Sequence, residues 1–156
     1  MSHFTVLDGQ PHPLGATMNL DGAGQGGCNF AVHCPSADGV ELCLFDNNTE
    51  EQMAVVVMPA KTGKIWHCQL DNIQAGQLYG YRVIGENHVH MGLKFDHQKL
   101  LIDPYAKALS RPAIWNKTQY EGDSQSMIPK GIVQNITSNI QPSLKPQTPL
   151  DQTVIY

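Results

Sequence analysis

Catalysis requires reactive side chains at defined spacings, and the acids, histidines and serines of this chain show no such spacing. Hydrolysis by a carboxylate pair needs two acids that face each other. Asp96, Glu121 and Asp123 fall instead in segments that read as loops, with no paired acid evident. Serine, histidine and aspartate all occur, but no G-x-S-x-G turn presents a serine nucleophile. The sequence therefore predicts no catalytic residue.

Metal and phosphate binding are the next chemistries to weigh. His88 and His90 stand two residues apart, so on a strand they would point the same way, and His67 and His97 could join them. No acid completes a ligand set and the segment reads as a loop, which favours surface histidines. The glycines of residues 22–27 suggest a phosphate cradle, but such cradles precede a helix, and here a strand is expected next. We therefore predict a surface turn, no metal and no other cofactor.

Composition and charge limit the kind of protein and the kind of partner that we expect. Hydrophobic residues make up 41% of the chain and charged residues only 15%, which is typical of a folded protein. The formal net charge is -4 and no block of Lys or Arg occurs, so nucleic acid is not expected as a partner. The 156 residues suffice for one domain, whereas a (β/α)₈ barrel needs about 250 residues.

Cysteine spacing and hydropathy bear on location. Cys28, Cys34, Cys43 and Cys68 form no C-x-x-C pair, so no zinc or redox motif is predicted. The N-terminus lacks a basic region followed by an apolar run, and no apolar stretch is long enough to span a membrane. These features predict a cytoplasmic protein with reduced thiols and no membrane partner.

Short extended runs, separated by turn residues, must position any functional side chain. Residues 29–34, 40–44, 65–70 and 78–84 alternate along their length, as strands with one buried face do. Residues 53–58 are almost wholly apolar, which predicts a strand buried on both faces. The spacing predicts an all-β fold: an immunoglobulin-like antiparallel β-sandwich with short helical turns and an irregular C-terminal segment.

The pattern changes after residue 90. Asp103 followed by Pro104 is a favourable helix start and predicts one or two helical turns. The prolines within residues 134–150 discourage both helix and strand, so this stretch reads as a linker, although its P-x-x-P spacing would also suit an SH3-type partner. We predict a sandwich over residues 1–110, an irregular segment and linker over 111–150, and renewed β structure over 151–156.

Motifs along the chain resemble, in order, those of bacterial glycogen debranching enzymes of the isoamylase type. The resemblance is strongest for Lys-Leu-Leu-Ile-Asp-Pro-Tyr-Ala at residues 99–106, and residues 153–156 resemble the first strand of that family's catalytic barrel. Other matching stretches are residues 13–17, 29–32, 40–46, 65–67, 74–83 and, more weakly, 127–133.

The resemblance implies a function for a larger polypeptide. It implies that this chain is a noncatalytic N-terminal module of the carbohydrate-binding family 48 type. The parent enzyme would hydrolyse α-1,6 branch linkages in glycogen or its limit dextrins. The partners implied are the catalytic (β/α)₈ barrel of the same polypeptide and, for the module, glycogen or maltodextrin. Two alternatives stay open: an autonomous α-glucan-binding protein and a purely structural partner domain.

Two sets of residues follow as candidate sites. Trp66, Tyr79 and Tyr81 could stack sugar rings, with core packing as the alternative because each shares a strand face with apolar neighbours. Arg82, Lys99, Asp103 and Tyr105 lie near the segments that lead toward the barrel of the family, so we expect them at the interface with the catalytic domain. Packing and capping within the module is the alternative for these four.

Overall fold

The computed structural model describes residues 4–19, 26–114 and 122–135, which form two antiparallel sheets. In the first sheet the order is β1-β7-β3-β2, and β6 pairs with β7 as well. In the second sheet the order is β5-β4-β8-β9. The strands are β1 (Val6–Leu7), β2 (Gly15–Asn19), β3 (Gly27–His33), β4 (Gly39–Phe45), β5 (Gln52–Val57), β6 (Ala60–Thr62), β7 (Ile65–Leu70), β8 (Leu78–Ile84) and β9 (Gly131–Ile132).

The main core lies between the two sheets and is filled by alternate side chains of their strands. Phe30 and Cys68 of the first sheet and Leu42 and Tyr81 of the second are all buried in it. Because successive side chains of a strand point to opposite faces, each strand contributes about half its residues to this layer. This confirms the predicted β-sandwich.

A second layer covers the part of the β5-β4-β8-β9 sheet's outer face that β4 and β8 form. Residues 96–114 and 122–135, called here the covering segment, bring Leu100 into a buried cluster with Cys43, Phe45 and Leu78. Gly80 permits the close approach, since a Cβ added there would lie 3.0 Å from Leu100 Cδ1. The covering segment also adds β9 beside β8. The described part of predicted segment 111–150 is therefore packed on the sandwich, and residues 136–156 lie outside the described residues.

The prediction that residues 53–58 are buried on both faces is wrong. Met53, Val55 and Val57 are 51%, 44% and 62% exposed, while Val56 and Met58 point into the core. The reason is position in the sheet: β5 is an edge strand that pairs with β4. In the described part of the chain, the buried cluster on the outer face of this sheet contains side chains of β4, β8 and β9 and none of β5.

The predicted helical turns after Asp103 are also not found in the described part of the chain. A single turn forms, in which Ala106 N–H donates to the Asp103 carbonyl at 3.0 Å. The chain then runs extended beside β9, because Leu109 bridges Gly131 and Ser110 N–H donates to the carbonyl of Lys130. A short 3₁₀ helix, Val89–Met91, is the one helical element described.

Candidate functional site

The structure places two residues of the predicted sugar platform in the core. Tyr79 and Tyr81 are 1% and 2% exposed, and Tyr79 packs edge-to-face against Phe30 with ring centroids 5.2 Å apart. Burial strongly raises the pKa of both phenols. Both rings therefore pack within the core, where their faces contact other side chains of the module.

Trp66 is half-buried and already engaged with neighbouring loops. Its Nε1 donates to the carbonyl of Cys34 at 3.2 Å, and the Lys61 ammonium lies 4.8 Å from its ring centroid. Lys61 is held there by the carbonyls of Pro35 and Ala37. A lysine over an aromatic ring occupies the surface that a sugar would stack on. Sugar binding by Trp66 stays a prediction.

Arg82 anchors both parts of the covering segment to β8. Its guanidinium donates to the carbonyls of His97 and Gln98, at 3.1 and 2.8 Å, and to both carboxylate oxygens of Asp123, at 2.9 and 3.0 Å. Burial opposes ionisation of both groups, but their mutual hydrogen bonds lower the pKa of Asp123 and raise that of Arg82. The Lys99 ammonium also donates a hydrogen bond to the carbonyl of Gly122 at 2.6 Å, which links the two parts of the covering segment.

Asp103 fixes the turn that carries Tyr105. One carboxylate oxygen accepts from the Tyr79 hydroxyl at 2.8 Å and the other from Tyr105 N–H at 2.8 Å. Asp103 is 2% exposed, and burial raises its pKa despite these bonds. Of the four residues predicted at an interface, Arg82, Lys99 and Asp103 have partners within the module, while Tyr105 is 54% exposed. Contact of the four with a catalytic domain stays a prediction.

An ionic cluster that the sequence analysis missed ties the covering segment to the loop after β4. Lys130, with its side chain 1% exposed, donates to Glu50 at 2.9 Å and to the carbonyls of Gln125 and Ile128. Arg111 contacts the same Glu50 carboxylate at 3.2 Å. The one feature of the sequence that could have indicated this cluster is a lysine inside the apolar run of residues 127–133. A lysine buried in such a run needs an ionic or hydrogen-bonding partner.

Exposed apolar side chains lie on the surface of the covering segment. Leu101, Tyr105, Leu109 and Ile114 are 45%, 54%, 45% and 53% exposed, and we call this group the docking surface. It lies on backbone that Arg82 and Asp103 hold in place. Exposed apolar side chains that form one contiguous patch are typical of a surface that meets another protein.

His67, His88 and His97 each contact a polar group of the module, with Glu86 as the partner of His88 at 2.9 Å. His67 contacts Thr62 and the Asp8 carbonyl, and His97 contacts Glu41 at 2.7 Å. Within residues 4–19, 26–114 and 122–135, no three His, Cys, Asp or Glu side chains are grouped to hold a metal, and no helix is long and apolar enough to cross a membrane. The four cysteines are free, and burial raises the pKa of Cys28 and Cys68 to about 12.

Two antiparallel sheets with a shared core, backed by a covering segment with exposed apolar side chains, define a β-sandwich module. Residues 13–106 match the model of one family, carbohydrate-binding module 48, described as the isoamylase N-terminal domain. The chain belongs to that family.

Curated relatives are much longer than this chain. A glycogen debranching enzyme of Yersinia enterocolitica is 40% identical over 97% of the chain, and one of Pectobacterium atrosepticum is 39% identical over 95%. The chain spans 23% and 22% of the length of these two proteins. It corresponds to their noncatalytic N-terminal module.

Solved structures share the fold. The crystal structure of GBS pullulanase SAP in complex with maltotetraose matches 79% of the chain with a TM-score of 0.56 and 25% identity, over 14% of its own length. The product complex of the multi-modular glycogen-degrading pneumococcal virulence factor SpuA matches 79% of the chain with a TM-score of 0.55 and 24% identity, over 12% of its own length.

Proposed function

We propose that this module is part of an enzyme that hydrolyses α-1,6 branch linkages in glycogen or its limit dextrins. The 40% identity with a glycogen debranching enzyme over 97% of the chain supports this proposal. In the proposed enzyme, a catalytic (β/α)₈ barrel in the same polypeptide carries out the hydrolysis. Glycogen or maltodextrin is the ligand of the complete enzyme. The proposed location is the cytoplasm, a location that the four free thiols support.

The role proposed for the module is to dock against that barrel through the docking surface. The observation that carries it is the exposure of Leu101, Tyr105, Leu109 and Ile114 on a segment whose backbone is fixed from beneath. Tyr105 then reaches the interface directly, and Arg82, Lys99 and Asp103 position the segment. Fixing a surface before association lowers the entropic cost of binding.

Autonomous sugar binding through the predicted platform has less support. Two of its three aromatic rings are buried, and Lys61 lies over the third. The docking role needs no such platform, so it is the function that the arrangement supports best.

The experiment replaces exposed apolar residues in the longer polypeptide that contains the catalytic part. A Tyr105→Asp/Leu109→Asp variant places charge in a desolvated interface, so we expect the thermal midpoint to fall and the junction to become sensitive to limited proteolysis. The matched control is Val57→Asp, an exposed apolar residue on β5 outside the docking surface. Equal behaviour of the two variants would contradict docking through this surface.

A further inference from the structure

One edge of the β5-β4-β8-β9 sheet is open. In the part of the chain that the structure describes, β5 pairs with β4 alone, and no strand pairs with its other side. Directly after β5, the Met58 N–H donates to the Val40 carbonyl of β4 at 2.9 Å. Backbone groups alternate between the two sides of a strand. The N–H and C=O groups of Val55 and Val57, and the carbonyl of Met53, therefore point away from β4.

The side chains along this edge are apolar and uncharged. Met53, Val55 and Val57 are about half exposed on the outer face of the sheet. The strand, Gln52–Val57, contains no Lys, Arg, Asp, Glu, Pro or Gly. Edge strands that stay unpaired are commonly protected by a charged side chain, often Lys, or by a Pro. An edge without such protection favours pairing with a further strand.

The edge of β5 is complementary to itself. A two-fold axis perpendicular to the sheet can place β5 of a second copy antiparallel to the first, with Val55 opposite Val55. In this register each Val55 N–H meets the Val55 carbonyl of the other copy, and each Val57 N–H meets the other Met53 carbonyl. On the outer face Val55 then packs on Val55, and Met53 packs on Val57. A shift by one residue would instead oppose these groups to groups that already bind β4.

The acidic residue next to the strand does not oppose this antiparallel pairing. Glu51 directly precedes β5, and in the register centred on Val55 it lies opposite Pro59 of the second copy. The two Glu51 side chains are then about 27 Å apart, well beyond the screening length of about 8 Å at physiological salt. A parallel pair of β5 strands would bring the two carboxylates together.

We propose that β5 is a self-association edge, through which two copies of this chain form a two-fold dimer centred on Val55. The two four-stranded sheets join into one continuous sheet of eight strands. The covering segment and its docking surface are not part of this contact, so the proposal is independent of the proposed function. Because of the register shift opposite Leu44 and Phe45, residues 53–57 form the regular stretch. A contact of this size falls below the roughly 1,200 Å² of stable interfaces, so we expect a Kd of about 100 μM.

The first test is sedimentation velocity of the 156-residue chain from about 10 μM to about 1 mM, where mass action shifts monomer to dimer. Val55→Lys and Val55→Glu each place like charges opposite one another, so each variant alone should associate about tenfold more weakly. An equimolar mixture of the two variants should associate again, because the register places Lys opposite Glu. The control is Tyr105→Asp/Leu109→Asp, which alters the docking surface and should associate as the original chain does.

The second test uses the original chain and so does not depend on the folding of a variant. Amide hydrogen exchange is followed by NMR at low and at high protein concentration. The amides of Val55 and Val57 should exchange more slowly at high concentration, because they gain partners in the dimer. The amides of Ala54 and Val56 face β4 and should change little.

Several outcomes would overturn the proposal. They are a monomer at about 1 mM, association into ever larger species, no recovery in the mixture of Val55 variants, or loss of association in the docking-surface control. Exchange that slows in the covering segment and not at Val55 and Val57 would also overturn it. At about 1 μM the chain is monomeric, so the docking experiment with its Val57→Asp control can fail or succeed independently of self-association.

Discussion

At the scale of single residues, the polar groups buried in this module position backbone. Arg82 and Asp103 are 6% and 2% exposed, and each binds backbone groups of the covering segment as well as a side chain. A buried ionic or polar group that loses its partner costs about 1–3 kcal/mol or more. Such residues therefore fix the docking surface without having to touch a partner.

Glu50 makes the attachment of the covering segment sensitive to acid. Burial opposes its ionisation, but hydrogen bonds from Lys130 and Ser110 outweigh burial and lower its pKa. A carboxyl whose pKa is lower in the folded state stabilises the fold above its unfolded pKa, about 4.3, and loses that contribution as pH falls through the folded pKa.

We therefore expect a Glu50→Gln variant to lose less stability than the original chain between about pH 6 and about pH 3. Urea unfolding at a series of pH values measures this difference. The control is Glu51→Gln, at the exposed neighbouring position, which should retain the full acid dependence. A Glu50→Gln variant with the same pH slope as the original chain would show that Glu50 is not involved.

At the scale of elements, the sequence patterns predicted β3, β4, β5, β7 and β8 but not the short strands β1, β2, β6 and β9, and they did not predict the environment of β5. Alternation within residues 78–84 correctly predicted β8, because side chains on a strand face opposite sides. The apolar run of β5 could not reveal that the strand lies at a sheet edge, since position in a sheet depends on pairing with distant residues. Asp103-Pro104 likewise predicted a local helix start, but extended pairing with residues 130–132 prevailed.

For the candidate sites, too, the sequence indicated residue types but not their environment in the fold. Residue type and strand face identified Tyr79 and Tyr81 as aromatic candidates, yet sequence could not assign them between a sugar surface and the core. Tyr105 is a candidate because of its position near the segment that leads to the barrel of the family, and its contact with a catalytic domain stays a prediction. The Glu50–Lys130 pair was not predicted, because its residues lie 80 positions apart and no local pattern links them.

Gly80 allows the second layer to pack closely on β8. A Cβ there would lie 3.0 Å from Leu100 Cδ1 and 3.2 Å from the Leu101 carbonyl oxygen, so Gly80→Ala requires a small shift of Leu100 or of the covering segment. We expect a loss of about 1–3 kcal/mol in unfolding free energy, the usual cost of overpacking. The control Gly39→Ala, on adjacent β4, would meet side-chain atoms at an ordinary 3.6 Å and should cost less. Equal losses in urea unfolding would refute this account of the second layer.

At the scale of the whole molecule, the covering segment protects only part of the β5-β4-β8-β9 sheet. It carries the residues of the docking surface, and β5 beside it exposes Met53, Val55 and Val57. The module spans 23% of the length of a curated relative. In a polypeptide of that length, a docked module would hold its exposed surfaces in a fixed position relative to the other domains. Docking through the covering segment is therefore the central claim about this module.

Hydrogen–deuterium exchange tests that claim most directly, by comparing the 156-residue chain alone with the same residues inside the longer polypeptide. The account predicts that amides of residues 100–114 become protected in the longer polypeptide, while those of β5 exchange equally in both. Unchanged exchange across residues 100–114, or protection confined to β5 or β2, would contradict it.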